Sequence, residues 1–184
     1  MKTKNLIIIL CILCVQGLQA QKYFTKEGRI VFHSDAPMEK IEAENNKATS
    51  VIDTETGAMQ WSVLIKAFHF EKALMEEHFN ENYLESSKFP KALFKGRIAN
   101  MKDIDFEQAG EYEAQIEGTL EIHGETNDVR TTGTFTVGES SVQGDCTFTI
   151  LVADHGIEIP AVVADNIAKE VEIIVQADYQ ILDR

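Results

Sequence analysis

The stretch EYEAQIEGTLEI, residues 111–122, alternates between two kinds of side chain. Glutamate, glutamine and threonine occupy one set of positions, and the other set is apolar or small: Tyr112, Ala114, Ile116, Gly118, Leu120 and Ile122. A strand points successive side chains to opposite faces, whereas a helix would scatter this pattern around its surface. The alternation therefore predicts a β-strand with one face on the core and the other in water.

The same period of two returns along the chain in four further long segments, AMQWSVLIKAF (58–68), VRTTGTFTV (129–137), VQGDCTFTILV (142–152) and VEIIVQADYQI (171–181). Shorter strand-like segments are GRIVFHS (28–34), KATSVID (47–53) and ALFKGRIA (92–99). The turn-like sequences DTETG (53–57) and HGETND (123–128) each join two such runs, as hairpins do. About eight strands with short connections predict an all-β fold, an antiparallel barrel or sandwich, and a closed barrel of this size can hold one small apolar ligand.

Two segments depart from the alternation and predict short helices. In residues 70–85 the larger apolar side chains follow one another at helical spacing, as Met75, Phe79 and Tyr83 do. Residues 161–169 follow a proline, which often opens a helix. The aromatic stripe of the first helix suits both a core contact and a cover over one end of a barrel.

The N-terminal segment predicts a cleaved signal peptide. Lys2 and Lys4 precede the short apolar run LIIILCILCV, and LQA ends the segment at Ala20. This order is typical of secretory signal peptides, and the run is short for a membrane span. We therefore expect residues 1–20 to be removed and residues 21–184 to form one barrel domain, located in the periplasm or secreted.

Without that segment the chain carries 15 basic and 30 acidic residues, a net charge of −15, and one cysteine. Such a surface repels nucleic acid and anionic membrane headgroups. No later apolar run is long enough for a membrane-spanning helix, so we expect no nucleic-acid partner and no stable membrane insertion. Cys146 falls on the apolar side of its strand, which indicates a small core residue rather than a nucleophile. No sequence pattern indicates an oligomeric state.

Residues suited to catalysis or metal binding are present but poorly arranged. His78, Glu81 and Glu85 would lie near one helix face, yet a zinc site needs several converging ligands, and the spacing of an HExxH motif is absent. Asp154 and His155 are adjacent, and neighbours on a strand point to opposite faces. We therefore predict no metal, no cofactor and no catalytic residues.

Several longer segments carry a resemblance to a known family. They are TGAMQWSVLIKAFHFEKALMEEHFNENYLESSKFPKALFKG (56–96), GTLEIHGETNDV (118–129) and FTILVADHGIEIPAVVADNIAKEVEIIV (148–175), together with GRIVFHSDAP (28–37). They resemble the YceI-like family of exported lipid-binding proteins over nearly all of the chain after residue 20. The resemblance implies a lipocalin-like antiparallel barrel that binds a polyisoprenoid or another long amphiphilic chain, with no established catalytic activity.

The inward side of the predicted strands supplies the candidate ligand-binding residues. Aromatic side chains expected to line the bore are Phe32, Trp61, Phe94, Phe135 and Phe148, and those expected to close one end are Phe68, Phe79 and Tyr83. The nearest basic candidates for holding a phosphate headgroup are Arg29, Lys66, Lys95 and Arg97. Alternation places most of these basic residues on the wet face, so the sequence predicts an apolar site without a phosphate clamp.

Three functions are compatible with such a barrel. The first is a non-catalytic carrier of a long-chain lipid, polyisoprenoid-like or fatty-acyl. The second is a lipid-processing enzyme using His78 or His155, which would need a histidine within hydrogen-bond reach of a carboxylate inside the cavity. The third is a stress or interaction protein whose barrel is filled by its own side chains.

Overall fold

The computed structural model describes residues 21–182 and contains nine β-strands. In chain order they are β1 (Lys22–Asp35), β2 (Lys40–Asp53), β3 (Ala58–Leu64), β4 (His69–Phe70), β5 (Lys91–Ile98), β6 (Gly110–Ile122), β7 (Glu125–Val137), β8 (Val142–Leu151) and β9 (Glu170–Ile181). Eight of them form a closed antiparallel wall in the order β1-β2-β3-β5-β6-β7-β8-β9, and β9 pairs with β1 to complete the ring. The two-residue β4 pairs with β2 beside this ring. The predicted lipocalin-like barrel is therefore confirmed, whereas the predicted signal peptide lies outside the described residues.

The alternating stretch 111–122 lies in β6, which pairs with β7 from the Gly110–Val137 pair to the Ile122–Glu125 pair. Its glutamates are mostly exposed, whereas Ala114 and Leu120 are buried. This is the arrangement that the alternation predicts, because one face of a barrel strand meets the interior and the other meets water. Since the wall closes on itself, neither edge of β6 is left unpaired.

The turn between β6 and β7 is shorter than the sequence predicted. It contains only His123 and Gly124, both with positive φ, 54° and 82°. A two-residue hairpin turn of this kind matches the twist of the flanking strands and lets pairing begin at once. Residues 125–128, predicted as part of the turn, therefore belong to β7.

The helical segments are also shorter than predicted. The segment 70–85 begins as strand rather than helix, because β4 pairs with β2, and helix α1 (Ala73–His78) then continues into a π-helical turn, Phe79–Tyr83. Four 3₁₀ turns complete the helical structure, at Ile65–Ala67, Met101–Asp103, Val152–His155 and Ala161–Val163. Within residues 21–182 no helix has the length and apolar character needed to cross a bilayer.

The predicted helix at 161–169 is reduced to the last of these 3₁₀ turns. Further along that segment, the backbone N–H of Ala168 donates to Ser34 Oγ at 2.9 Å. A helical residue would instead donate to the carbonyl one turn earlier. The contact with β1 therefore replaces a helical hydrogen bond in the last part of the predicted helix, which instead forms turns and bends that lead into β9.

The barrel has two ends of different character. At what we call the packed end, the connections are residues 54–57, 99–109 and 138–141. A buried cluster fills the interior there: Tyr23, Ile52, Met59, Ile98, Ile104, Ala114, Phe135, Val137, Val142, Ala177 and Tyr179. The Tyr179 hydroxyl and Ser50 Oγ are hydrogen-bonded at 2.9 Å inside this cluster, and burial raises the pKa of Tyr179.

At the opposite end, called the open end here, the connections are the hairpin 36–39, the long link 65–90, the turn 123–124 and the link 152–169. A second, smaller buried cluster lies towards this end and comprises Ile30, Ala43, Ala48 and Phe68. It does not extend across the bore. The open half of the barrel is therefore where an unfilled interior is found.

Candidate ligand-binding cavity

The open half of the barrel encloses a cavity of about 440 Å³. Inward-facing side chains from all eight wall strands line it, and the connections at the open end complete it. Ligand pockets for small molecules occupy roughly 300–1,000 Å³. The interior is thus a void of ligand size, which the packed-barrel alternative would lack.

Three glycines leave space for the two aromatic rings deepest in the wall. A Cβ on Gly28 would lie 2.7 Å from Trp61 Cζ3, and a Cβ on Gly118 would lie 2.9 Å from Phe94 Cζ. Carbon atoms in ordinary contact are about 3.5–4.0 Å apart. Gly118 also faces Gly96 across the β5–β6 pair. These glycines let the rings of Trp61 and Phe94 lie against the wall instead of across the bore.

Four phenylalanines at the open end hold the helical segment against the barrel. The Phe79 ring lies 5.4 Å from Phe32, 5.6 Å from Phe68 and 5.0 Å from Phe70, measured between centroids. Aromatic pairs at such distances add about 0.5–1.5 kcal/mol beyond the apolar area that they bury. The stripe of Met75, Phe79 and Tyr83 thereby faces the cavity, as the helical spacing predicted.

A separate cluster of side chains lies beside the cavity, at the β6–β7 turn of the open end. His123 Nε2 lies 2.8 Å from Glu85 Oε2, and His123 Nδ1 lies 3.2 Å from the backbone oxygen of His155. Both ring nitrogens thus face oxygen atoms, one of a carboxylate and one of the backbone. The Phe89 ring packs edge-on against His123 at 4.6 Å. Glu85 thus holds the β6–β7 turn through His123.

Most of the polar side chains in the lining lie at the mouth of the cavity, where the lining reaches the surface. They are Ser34, Glu39, His78 and Asn166. Hydrogen bonds tie the segments around the mouth together: Met38 N donates to Asp165 O at 2.9 Å, and Lys72 Nζ donates to Glu39 Oε1 at 2.9 Å. The Lys72 hydrogen bond is the main cause that lowers the pKa of Glu39, and a hydrogen bond from Asn166 adds to it.

No lysine or arginine lines this cavity in the part of the chain that the structure describes. Arg29 points outward, where its Nε donates to Glu44 Oε1 at 2.9 Å. Arg97 pairs outside the barrel with Glu117 at 2.6 Å. Lys66 and Lys95 are exposed on the surface. Alternation predicted that most of these basic residues point outward, and in the structure all four of them do.

Seven of the eight predicted ligand-binding residues line the cavity: Phe32, Trp61, Phe68, Phe79, Tyr83, Phe94 and Phe148. The eighth, Phe135, lies in the packed cluster, 3% exposed, with its ring 5.3 Å from Phe106. The side chain of Phe135 does point inward, as predicted, but it lies at a level of the barrel where other side chains fill the interior. Phe70, Glu39 and Asn166 also line the cavity but were not predicted to do so. Glu39 and Asn166 lie in connections, which show no alternation.

The residues considered for catalysis are dispersed. His155 is 2% exposed, lies in a 3₁₀ turn and does not line the cavity. His78 lines the mouth and is exposed, and within residues 21–182 it takes part in no ion pair. Cys146 faces the cavity, where burial raises the pKa of its thiol. Across the described chain, no three His, Cys, Asp or Glu side chains come together in a group that could hold a metal ion.

Residues 22–179 match the sequence model of the YceI-like domain. This chain belongs to the YceI-like family. A comparison with curated proteins gave no match.

Solved structures similar to this YceI-like chain share its fold at low sequence identity. A polyisoprenoid binding domain from Saccharophagus degradans, implicated in plant cell wall breakdown, superposes with a TM-score of 0.74 at 12% identity, covering 88% of this chain and 99% of that one. BcnA of Burkholderia cenocepacia gives 0.68 at 17% identity, covering 83% and 95%. A mutant Campylobacter jejuni YceI protein carrying monobromobimane gives 0.61 at 14% identity, covering 77% and 85%.

Phe135 and Phe148 both point into the barrel but differ in how tightly they are packed, and this difference gives a stability prediction. Phe135→Ala removes a ring from a filled core and should lower the free energy of unfolding by about 3–5 kcal/mol. Phe148→Ala removes a ring that already faces a void, so the loss should be clearly smaller. Urea unfolding of both variants, followed by circular dichroism, measures the difference. Equal losses would show that the cavity wall is packed as tightly as the closed end.

The buried imidazole of His155 gives a prediction about pH. Burial lowers the pKa of His155 from its ordinary value of 6.5. The unfolded chain therefore binds a proton there before the folded chain does, so folded stability should fall as pH drops below about 6.5. A His155→Gln variant should show a flatter stability profile from pH 7 towards acid. Exposed His69, changed to Gln, serves as the control, and an unchanged slope in His155→Gln would contradict this assignment.

Proposed function

We propose that this protein binds and carries a long-chain amphiphilic lipid, polyisoprenoid-like or fatty-acyl, inside the open half of its barrel. The observation that carries the proposal is an apolar cavity of about 440 Å³ whose deep wall is formed by side chains such as Trp61, Phe94 and Phe148. One structural relative is a polyisoprenoid binding domain, and we extend that ligand class to this chain.

Burial of apolar ligand surface would drive binding. Transfer of apolar surface from water contributes about 25 cal/mol per Å², or about 0.8 kcal/mol per methylene group. The tail of one lipid, extending from the mouth towards Thr131, would contact the cavity wall along its whole length. Because such contacts recognise no particular functional group, the lipid tail would contribute affinity and the mouth would contribute selectivity.

We further propose that the protein does not act chemically on its ligand. The enzyme alternative needs a histidine and a carboxylate within hydrogen-bond reach inside the cavity. The histidines of the described chain that lie within ion-pair distance of a carboxylate all lie outside the lining: His33, His69 and His123. His78, which does line the mouth, has no carboxylate within ion-pair distance there. These placements support binding without turnover.

A matched pair of substitutions tests the carrier function. Thr131 lines the deep end of the cavity, whereas its neighbour Thr132 points outward and is exposed. Thr131→Phe should fill the deep end and exclude about two methylene groups, which corresponds to ~1.6 kcal/mol or about a fifteenfold rise in Kd. Thr132→Phe should leave Kd unchanged. Binding is measured by Trp61 fluorescence while long-chain alcohols of increasing length are added.

The chain-length series provides the decisive readout. In the unchanged protein, Kd should rise about fourfold for each methylene group removed from the alcohol. In Thr131→Phe the gain from the longest chains should disappear. Circular dichroism of both variants checks that the barrel is intact. A flat Trp61 signal with every chain would contradict the carrier proposal, as would equal Kd values for the two variants.

The carrier would act outside the cytoplasm, in the periplasm or as a secreted protein. This localisation rests on the sequence of residues 1–20, in which Cys11 and Cys14 each follow a leucine rather than the small residue of a lipoprotein signal. Intact mass of the protein purified from its own host should correspond to a chain beginning at Gln21. A diacylglycerol adduct on Cys11 or Cys14, or an uncleaved N-terminus, would contradict the prediction.

A further inference from the structure

We propose that the mouth of the cavity selects a lipid whose headgroup donates hydrogen bonds and carries no negative charge, such as an alcohol or an amine, with the Glu39 carboxylate as the acceptor. This inference rests on the proposed function, since it places the lipid tail in the cavity and the headgroup at the mouth. It names the headgroup class, which the apolar wall alone does not determine.

The first step is the position of Glu39. This residue lines the cavity, and its carboxylate accepts a hydrogen bond from Lys72 Nζ at 2.9 Å, with the Asn166 side chain beside it. A carboxylate has about four lone-pair sites. Lys72 and Asn166 occupy at most two of these sites, which leaves acceptor capacity for a hydroxyl or an ammonium group of a ligand. An anionic headgroup would be repelled by this carboxylate.

The second step is the charge of the segments around the mouth, residues 35–41, 71–78 and 158–168. They contain seven acidic residues and two lysines. Both lysines are already engaged: Lys72 with Glu39 at 2.9 Å, and Lys40 with Asp35 at 3.8 Å. A phosphate monoester, which carries a charge of about −1.5 to −2 near neutral pH, would have to displace one of these pairs or remain uncompensated.

The third step is the lining itself. Within residues 21–182 no arginine or lysine faces the cavity, and the other polar groups at the mouth are neutral or weakly basic: Ser34, His78 and Asn166. Arginine forks and helix termini are the usual means of holding phosphate, and α1, with six residues, is too short to provide such a terminus. Hydroxyl and amine headgroups meet the Glu39 carboxylate here, whereas no lysine or arginine of the described lining compensates the charge of an anion.

The test compares three ligands with the same tail: geranylgeraniol, geranylgeranylamine and geranylgeranyl monophosphate. Binding is measured by Trp61 fluorescence below the concentration at which each ligand aggregates. The alcohol and the amine should bind at least about tenfold more tightly than the monophosphate, because unlike the phosphate they are not repelled by Glu39 at close range. A monophosphate that binds as tightly as the alcohol overturns the inference.

Three variants separate Glu39 from the general negative charge of the protein. Glu39→Gln should narrow the difference in Kd between the alcohol and the phosphate. Glu77→Gln removes an equal charge from an exposed position of α1 away from the lining, and it should leave this difference in Kd unchanged. Lys72→Gln should widen it, since Lys72 partly neutralises Glu39. A narrower difference in Lys72→Gln would show that Lys72 holds the phosphate and would overturn the inference, as would equal effects of the two glutamate variants.

The same data distinguish failure of this inference from failure of the carrier function. If none of the three ligands changes the fluorescence of Trp61, the cavity does not take long chains and both proposals fail. If all three bind but the phosphate binds best, the carrier function stands and only the headgroup assignment is wrong. The discrimination by Glu39 should persist at 0.5 M salt, whereas repulsion by distant surface charge is screened beyond about one Debye length, roughly 8 Å at physiological ionic strength.

Discussion

Strand β1 pairs on both sides, with β2 along one edge and with β9 along the other, and this double pairing closes the sheet. The register of β1 against β2 shifts on either side of Gly28, which marks a bulge. A bulge bends and twists a strand strongly, as a strand must do to join both ends of a barrel wall. Closure leaves the wall without a free edge and creates an interior, on which the cavity and the proposed function depend.

The interior is divided into a filled part and a cavity, because the inward side chains fill the barrel to different extents along its axis. At the packed end, loop residues such as Ile104 and Phe106 reach in beside Tyr23, Phe135 and the hydrogen-bonded Tyr179 hydroxyl. In the open half, at the deep wall of the cavity, the rings of Trp61 and Phe94 lie against the strands, where glycines make room for them. One end therefore stabilises the fold, and the other remains available for a ligand.

Period-two alternation shows which face of a strand a residue occupies, and for that reason the wall and most of the lining could be predicted from the sequence. Alternation does not show the level of a residue along the barrel axis. Phe135 and Phe148 have the same sequence pattern, T-F-T, yet one lies in a filled core and the other faces the void. The staggered register between strands determines that level, and it depends on pairings across the whole chain.

The mouth could not be predicted, because its residues come from connections brought together only by the closed barrel. Glu39 meets Lys72 and Asn166, which lie far from it in the sequence. The pair of Glu85 and His123 is formed in the same way, between the link 65–90 and the β6–β7 turn. Local patterns describe neighbours in the chain, so contacts between loops leave no periodic signal.

The central claim, that the cavity is a site for one long lipid chain, is tested most directly by native mass spectrometry of the protein purified from its own host. The account predicts a species heavier than the polypeptide by the mass of a single long-chain amphiphile, released as an intact lipid when the protein unfolds. A protein found only at its polypeptide mass, which also takes up no long-chain alcohol when one is supplied, would contradict it.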